Sequence, residues 1–504
     1  MLAIIPSATL LGVEGRPVTV EVHVSNGLPA FTIVGLPDTA CRESRDRVRS
    51  ALLSGGFAWP LKRITVNLAP SGVRKGGSGL DLAIALGVLV ANGDLDADAA
   101  KDMAFVAELG LDGRLRRVPG IVPLTAVVAS AVVVVAPDCA TEARLAHDGQ
   151  VRVATTLKEL VECLRGDAPW PDVVHLPDDA NPPLIADLAD VRGHELGRLA
   201  VEVAAAGNHH LLMVGPPGSG KTMLATRLPG LLPPLTSAQA LEVTIVHSAA
   251  GVPLPRGGLV RHPPFRAPHH SSSMVSLVGG GGAYMRPGEL SLATHGVLFL
   301  DELAEFIAPV IDGLRQPLEE GVVRVSRARA SVTFPAKVLL VAAMNPCPCG
   351  EGGPPGACPC NEAVRHRYVR RVSGPLVDRF DLRVPVMRPN VDDLLGAAGG
   401  EATVCVAARV AAARACARER GVESNSEIPS TQLDEVAPLT RAAAALLRRE
   451  LEAGRLSGRG LHRVRRVART LCDLHGGDEV IADGHVAVAL QLRVEPVAID
   501  RFVA

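Results

Sequence analysis

Three observations predict an α/β chain of three domains. Apolar and polar residues alternate from Val18 to Val24, which is the periodicity of a β-strand. A short apolar run at residues 210–214 leads into a glycine-rich loop and a helical pattern. Residues 391–504 are rich in Ala, Arg and Leu at helical spacing. The 504 residues suffice for about three domains, at roughly 100–200 residues each.

The first predicted domain spans residues 1–165 and has an α/β pattern. After the strand of Val18–Val24, the sequence predicts a helix that is capped by Asp38 or Thr39 and contains Val48 and Leu52. A strand through Ile64, Val66 and Leu68 comes next. A helix through Leu80–Leu89 and a buried strand at Val132–Val135 complete the predicted domain.

The remaining boundaries follow from composition. Residues 166–190 are rich in Pro and Asp, and because proline disfavours regular structure we interpret them as a linker. Residues 191–390 form a second α/β block, and residues 391–504 an all-α domain.

Composition limits the classes of function. The formal net charge is −1, so any contact with nucleic acid must come from a local basic patch or a pore. The longest apolar stretch, near Ala126–Ala136, is shorter than the ~18 residues of a membrane span. Four of the ten cysteines lie within residues 347–360, which favours one metal site in a cytoplasmic protein over a disulfide framework.

A nucleotide-binding loop follows the apolar run of residues 210–214. The loop matches G-x-x-x-x-G-K-[ST] between a strand and a helix, and comprises Gly215, Pro216, Pro217, Gly218, Ser219, Gly220, Lys221 and Thr222. Backbone N–H groups and the helix N-terminus favour bound phosphate. We expect Lys221 to reach the β- and γ-phosphates of ATP, and Thr222 to bind Mg²⁺.

Two further apolar strands end in polar residues. The run 296–302 delivers Asp301 to the Mg²⁺ site, and Glu302 beside it can act as a general base towards water. The strand Leu339–Met344 ends at Asn345, whose amide can hydrogen-bond the water or the γ-phosphate.

Arginines in two places could complete a nucleotide site. Arg379 follows a Ser-Gly-Pro turn and could serve a neighbouring subunit as an arginine finger, the alternative being a surface salt bridge. Arg459, Arg463 and Arg466 share one helical face, and one of them could contact nucleotide; the alternative is a solvated basic face.

These motifs identify the chain as resembling one family along nearly its whole length. The matching segments are FRAPHHSSS (265–273), MRPGELSLATHGVLFLDEL (285–303), LRQPLEEG (314–321), AAMNPCPCG (342–350) and SGPLVDRFDL (373–382). They resemble the ComM/YifB family of magnesium chelatase-like AAA+ ATPases. The resemblance implies an N-terminal domain similar to Lon-type protease domains, an AAA+ core, a helical C-terminal lid and a homo-hexameric ring. The family includes a DNA branch-migration motor that acts in transformation.

The resemblance also implies roles for single residues. Lys221 and Thr222 match the Walker A motif, and Asp301 and Glu302 match Walker B. Asn345 matches sensor 1 and Arg379 the arginine finger. Arg459 is the best match for sensor 2, with Arg463 and Arg466 as alternatives.

Proteolysis is the least favoured activity of the N-terminal domain. Ser78 lies near the position of the Lon nucleophile, but Val122 stands where the resemblance places the lysine of a Ser–Lys dyad. Because valine cannot act as a base, no activated nucleophile is evident.

The cysteine cluster has the pattern C-x-C-x₈-C-x-C. Cys347, Cys349, Cys358 and Cys360 could close a tetrahedral zinc site, and the alternative is four reduced thiols in a loop.

Three basic stretches could contact DNA. Arg324, Arg327 and Arg329 alternate along a predicted hairpin, and the other two stretches are residues 365–371 and 455–469. With only two Tyr and two Trp in the chain, stacking on bases is limited, which favours sequence-independent contacts to the DNA backbone.

The sequence therefore predicts a hexameric, ATP-driven DNA motor with helicase-like branch migration. We expect it to act on single-stranded or branched DNA in recombination or DNA uptake. The alternative is a chelatase-like or chaperone-like ATPase that remodels a protein partner, and stimulation of ATP hydrolysis by DNA would distinguish the two.

Overall fold

The computed structural model describes residues 2–173, 185–281, 285–327, 330–351, 358–395, 399–477 and 479–494. Residues 174–184 of the predicted linker, and Arg329 of the predicted hairpin, lie outside these ranges.

The N-terminal part is an α/β unit with two main sheets. Its strands are β1 (Leu2–Leu11), β2 (Glu14–Ser25), β3 (Ala30–Val34), β4 (Arg63–Ala69), β5 (Met103–Val106), β6 (Glu108–Leu109), β7 (Leu115–Arg116), β8 (Val132–Val135) and β9 (Gln150–Val153). Its helices are α1 (Thr39–Ser54), α2 (Asp81–Asn92), α3 (Ile121–Ala126), α4 (Ala140–Ala143) and α5 (Leu157–Arg165). A four-stranded sheet has the order β1-β2-β4-β3, and a parallel sheet the order β5-β8-β9.

The strand and helix signals of this part are confirmed. Val18, Val20 and Val22 point into one hydrophobic core, as their alternation predicts. The carboxylate of Asp38 accepts a hydrogen bond from Cys41 N at 2.8 Å and so caps α1. The likeness of this domain to Lon-type proteases stays a prediction.

The central part is built on a five-stranded sheet. Its strands are β10 (Leu211–Val214), β11 (Phe265–Arg266), β12 (Gly279–Gly280), β13 (Arg286–Pro287), β14 (Val297–Leu300), β15 (Val322–Arg327), β16 (Ala330–Pro335), β17 (Leu339–Met344) and β18 (Leu382–Pro385). Its helices are α6 (Glu195–Gly207), α7 (Lys221–Leu231), α8 (Ser237–Ala250), α9 (Met274–Val278), α10 (Glu289–Leu292), α11 (Ala308–Asp312), α12 (Arg315–Glu320), α13 (Glu362–Val369), α14 (Gly374–Val377) and α15 (Val391–Leu395).

All five strands of this central sheet are parallel, in the order β11-β14-β17-β10-β18. The sheet therefore has one edge where all strands begin, the amino edge, and one where all strands end, the carboxyl edge. In open α/β sheets, ligands bind at the carboxyl edge.

The C-terminal part is helical, as predicted. Its helices are α16 (Thr403–Glu419), α17 (Leu433–Val436), α18 (Arg441–Glu452), α19 (Gly458–Leu474) and α20 (Asp483–Gln491). Val410 of α16 and Leu471 of α19 share a hydrophobic core with Leu211 and Met213 of the central sheet. The C-terminal helices are therefore packed onto the central part of the chain.

The hairpin predicted around residues 322–332 is present. Strands β15 and β16 pair antiparallel, with Val325 opposite Val332. Its base packs against the β1–β2 turn, where Leu11 and Val13 contact the core that contains Val332 and Phe334. Within the described ranges, no helix has the length and apolar character needed to cross a membrane.

Candidate functional site

The predicted phosphate-binding loop leaves β10 at the carboxyl edge and enters α7. Gly220 adopts the left-handed conformation, with φ +84°, just before the helix begins at Lys221. The Lys221 ammonium folds back and donates to the backbone carbonyls of Gly215 at 2.7 Å and Pro216 at 2.8 Å. It also lies 3.4 Å from Asn345 Oδ1.

The polar groups of this loop fit a polyphosphate. Burial lowers the pKa of Lys221 to about 8, even though the charges of Asp301 and Glu302 act in the opposite direction. Among the residues that the structure describes, the buried Ser219 hydroxyl has no hydrogen-bond partner. A buried ammonium whose close acceptors are neutral carbonyls, beside an unsatisfied hydroxyl, suits a bound phosphate group.

Two predicted Mg²⁺ ligands meet at the end of β14. Thr222 Oγ1 donates to Asp301 Oδ2 at 2.8 Å, although the two residues are 79 positions apart. A hydroxyl and a carboxylate beside bound phosphates suit Mg²⁺, which takes few protein oxygens and keeps several waters. The structure thus brings together Lys221, Thr222, Asp301 and Asn345.

The predicted base, Glu302, has a histidine partner. Its backbone is left-handed, with φ 52°, and its Oε2 lies 2.9 Å from Nδ1 of His270. His270 stands beyond the end of β11 and stacks near His269, with ring centroids 4.1 Å apart. Sequence reasoning used FRAPHHSSS only to recognise the family and missed this role for His270. The consecutive histidines after a strand were the available signal.

Arg379 lies at the amino edge, opposite the phosphate-binding loop. The backbone N–H groups of Asp381 and Leu382 bond the carbonyl of His210, which immediately precedes β10. The four residues of β10 rise about 13 Å, at ~3.3 Å per residue, before the loop begins. Arg379 is therefore separated from Lys221 of its own chain by the length of the sheet. The Arg379 side chain pairs with Glu319.

The lid arginines also lie at the amino edge. Arg463 Nη1 donates to the carbonyl of Arg379 at 3.0 Å and also bonds the buried Asp381 carboxylate. Burial lowers the pKa of Arg379, as do the positive charges of Arg463, Arg459 and Arg315. Helix α19, which begins at Gly458, therefore starts near Arg379, and the assignment of Arg459 as sensor 2 stays a prediction.

A cleft of about 1100 Å³ opens at this amino edge. Its walls include Arg379, Arg463 and Arg466, together with the acidic Glu319 and Glu427. Converging arginines of this kind suit a phosphate group supplied by another molecule.

The four clustered cysteines are close enough to share one metal ion. The Sγ atoms of Cys347, Cys349, Cys358 and Cys360 all lie within 4.8 Å of one another. Cys347 and Cys358 are buried, whereas Cys349 is exposed.

The three basic stretches differ in their surroundings. Arg324 and Arg327 of the hairpin are exposed, although Arg324 pairs with Glu320 at 2.5 Å. In the second stretch, Arg367 and Arg370 are exposed.

Much of the third basic stretch is engaged inside the lid. Arg469 is buried against Asp473 at 2.8 Å. Arg465 donates to Asp434 and to two backbone carbonyls. These two buried arginines of the stretch therefore contribute to packing within the C-terminal helices, and their charges are not exposed for contact with DNA.

The N-terminal domain shows no serine–lysine dyad in its described part. Ser78 donates to the carboxylate of Glu108. Val122 is fully buried in α3, and the Lys75 ammonium bonds the carbonyl of Pro70.

Comparison with known families finds matches along most of the chain. The family described as magnesium chelatase, subunit ChlI, matches residues 187–394. The family of subunit ChlI of Mg-chelatase matches residues 20–137, and the subunit ChlI C-terminal family matches residues 400–493.

Curated relatives cover nearly the full length. The competence protein ComM of Haemophilus influenzae is 43% identical over 500 residues, which cover 98% of this chain and 97% of the relative. The uncharacterised protein YifB of Escherichia coli is 41% identical, covering 99% of this chain and 98% of the relative. An uncharacterised protein of Mycobacterium tuberculosis is 44% identical, covering 97% of each chain.

Proposed function

The chain belongs to the ComM/YifB family of magnesium chelatase-like AAA+ ATPases, and we propose that it is an ATP-driven motor that moves DNA strands or junctions. ATP and Mg²⁺ are its proposed substrate and metal. The contact between Thr222 and Asp301 carries the ATPase part of the proposal, because it joins the two predicted Mg²⁺ ligands beside Lys221.

Each residue of the site has one task in the proposed reaction. Lys221 would neutralise phosphate charge, and Thr222 and Asp301 would hold Mg²⁺, which would supply further positive charge to offset that of the phosphates. Glu302 accepts a proton from the attacking water, and His270 orients the carboxylate that does so. Asn345 positions the water or the γ-phosphate from the end of β17.

Completion of the site by a second copy of the chain is the next part of the proposal. Arg379 and Lys221 lie on opposite edges of one sheet, so a cyclic arrangement could place Arg379 of one protomer against the phosphates of its neighbour. We propose a homo-hexameric ring in which Arg379 is the arginine finger. Arg459 and Arg463 belong to the same interface.

DNA is the proposed cargo. The similarity to a competence protein and the exposed arginines of the β15–β16 hairpin both support this choice. Arg324, Arg327 and Arg329 would contact phosphates of single-stranded or branched DNA without reading its sequence. We further propose a cytoplasmic location and a role in recombination or DNA uptake.

A second candidate is an ATPase that remodels a protein partner. The magnesium chelatase descriptions of the matching families favour it. The deciding experiment measures ATP hydrolysis alone and with single-stranded, duplex and four-way-junction DNA. We expect DNA to increase turnover severalfold; an unchanged rate with every DNA, in a protein that hydrolyses ATP, would favour the remodeller.

A further inference from the structure

Four thiols converge at the carboxyl edge of the sheet. The Sγ atoms of Cys347 and Cys349 are 3.2 Å apart, those of Cys349 and Cys358 are 3.3 Å apart, and those of Cys347 and Cys358 are 3.5 Å apart. Four sulfurs around one tetrahedral zinc ion, with Zn–S bonds of ~2.3 Å, lie about 3.8 Å from one another. The observed separations are near that value, and Cys360 lies within 4.8 Å of the other three sulfurs.

We propose that these four cysteines hold one structural zinc ion. We also propose that the ion stabilises the packing of the loop after β17, which carries Asn345, against the phosphate-binding loop. Thiolates select soft metals, and four of them leave no open coordination position for catalysis. The backbone N–H of Cys360 donates to Cys358 Sγ at 3.4 Å, an interaction that stabilises a thiolate.

The cysteine loop rests directly on the phosphate-binding loop. Gly350 N donates to Cys347 O at 3.0 Å, which closes a tight turn. A Cβ atom at Gly350 would lie 2.9 Å from Pro217 Cγ, so the two loops are in close contact. Arg388 adds a bridge, 3.5 Å from the Pro217 carbonyl and 3.6 Å from Glu351.

The cysteine cluster is also connected to Asn345 and to the helix α13. Asn345 precedes Cys347 by two residues and lies 3.4 Å from the Lys221 ammonium. On the other side, Arg365 of α13 donates to Cys360 O at 3.2 Å, and Asn361 caps that helix. Loss of the ion would release both the loop that carries Asn345 and the start of α13, which carries the exposed Arg367.

The first test measures the metal itself. Elemental analysis of protein purified without chelator should find about one zinc per chain, and a chromogenic zinc indicator should detect its release when a mercurial blocks the thiols. The Cys347→Ser/Cys358→Ser variant should lose the metal, whereas Cys405→Ser, an exposed cysteine of α16 outside the cluster, should retain it. Protein without metal, or with iron and visible absorption, would overturn the zinc assignment.

The second test measures the coupling between bound zinc and the binding or hydrolysis of ATP, and it rests on the proposed ATP site. Release of zinc by the mercurial should reduce ATP affinity or turnover by about tenfold, which is the order of magnitude seen when a metal site is perturbed through the contacts around it. Thiol reductant and Zn²⁺ should restore it, which excludes simple unfolding. Unchanged ATP binding and turnover after complete zinc release would overturn the coupling. Zinc bound by a protein that neither binds nor hydrolyses ATP would overturn the proposed function and leave the zinc site standing.

Discussion

Nδ1 of His270 lies 2.9 Å from the Glu302 carboxylate, although the two residues belong to different loops at the carboxyl edge of the sheet. This contact fixes where the proposed base points. His270 contacts the proposed base, whereas Lys221 and Thr222 are the proposed ligands of phosphate and Mg²⁺. In the proposed reaction, His270 and Glu302 therefore serve water activation and not nucleotide binding.

Replacement of His270 by Ala should therefore lower kcat about tenfold and leave KM for ATP nearly unchanged, since only the orientation of the base is lost. Steady-state ATPase assays measure both constants. His269→Ala is the matched control, because the Nδ1 atom of His269 bonds Ser271 instead. Equal loss of kcat in both variants would contradict a specific role for His270.

Lys221→Ala and Glu302→Gln should stop turnover for different reasons. The first removes the positive charge that binds phosphate, so nucleotide binding should fail. The second removes the base and should reduce kcat by about 10²–10⁴ while bound ATP is retained. Rapid filtration with labelled ATP separates these outcomes, and normal turnover in either variant would exclude the assigned site.

The affinity for ATP should fall as the pH rises above about 8. Burial lowers the pKa of Lys221 to about 8, so the free protein loses this positive charge above that pH. Bound phosphate favours the ammonium, and binding must then take up a proton. The dissociation constant should rise by up to about tenfold per pH unit between pH 8 and the higher pKa of the complex.

Titration of a fluorescent, non-hydrolysable ATP analogue into the unaltered protein at pH 7, 8 and 9 and constant salt measures this dependence. Calorimetry in buffers of different ionisation enthalpy should show proton uptake at pH 9. A flat profile without proton uptake would mean that Lys221 remains charged throughout.

Mixed assemblies test whether Arg379 acts across a subunit interface. Arg379→Ala and Lys221→Ala proteins should each be inactive, and a mixture should recover part of the ATPase activity. Both defects can fall on one interface of a mixed ring, which leaves other interfaces intact. Subunit exchange measured by fluorescence transfer provides the control, and inactive rings with confirmed mixing would contradict action in trans.

The hairpin arginines should determine the salt dependence of DNA binding. Each phosphate contact contributes about −0.9 to the slope of log affinity against log salt on duplex DNA. Replacing Arg324, Arg327 and Arg329 together by Ala should reduce that slope and abolish DNA stimulation, while ATP binding persists. DNA binding is measured by anisotropy over a range of salt concentrations.

Exposed arginines within and directly after α13 are the matched control for the hairpin. If Arg367→Ala/Arg370→Ala alone weakens DNA binding, the hairpin assignment is wrong. If neither variant has an effect and DNA never increases turnover, the proposal of a protein-remodelling ATPase takes precedence.

Local patterns predicted much of the architecture. The alternation around Val20 and the carboxylate at Asp38 indicated a strand and a helix start that the structure contains. The hairpin was also predictable, because short antiparallel pairs depend on neighbouring residues. The packing of the lid helices into the core beside Leu211 was not predictable, since helical periodicity shows which face is apolar and not what covers it.

The sequence by itself determined the glycine-rich loop that precedes α7, because its glycines, Lys221 and Thr222 are contiguous and their backbone geometry is local. Tertiary structure alone decided which distant residues meet. The parallel strand order brings Asp301 and Asn345 to the edge that holds Lys221, and it leaves Arg379 and Arg463 at the opposite edge. The physical reason is that spacing along a chain defines the faces of helices and strands, whereas the order and direction of strands in the sheet define their neighbours.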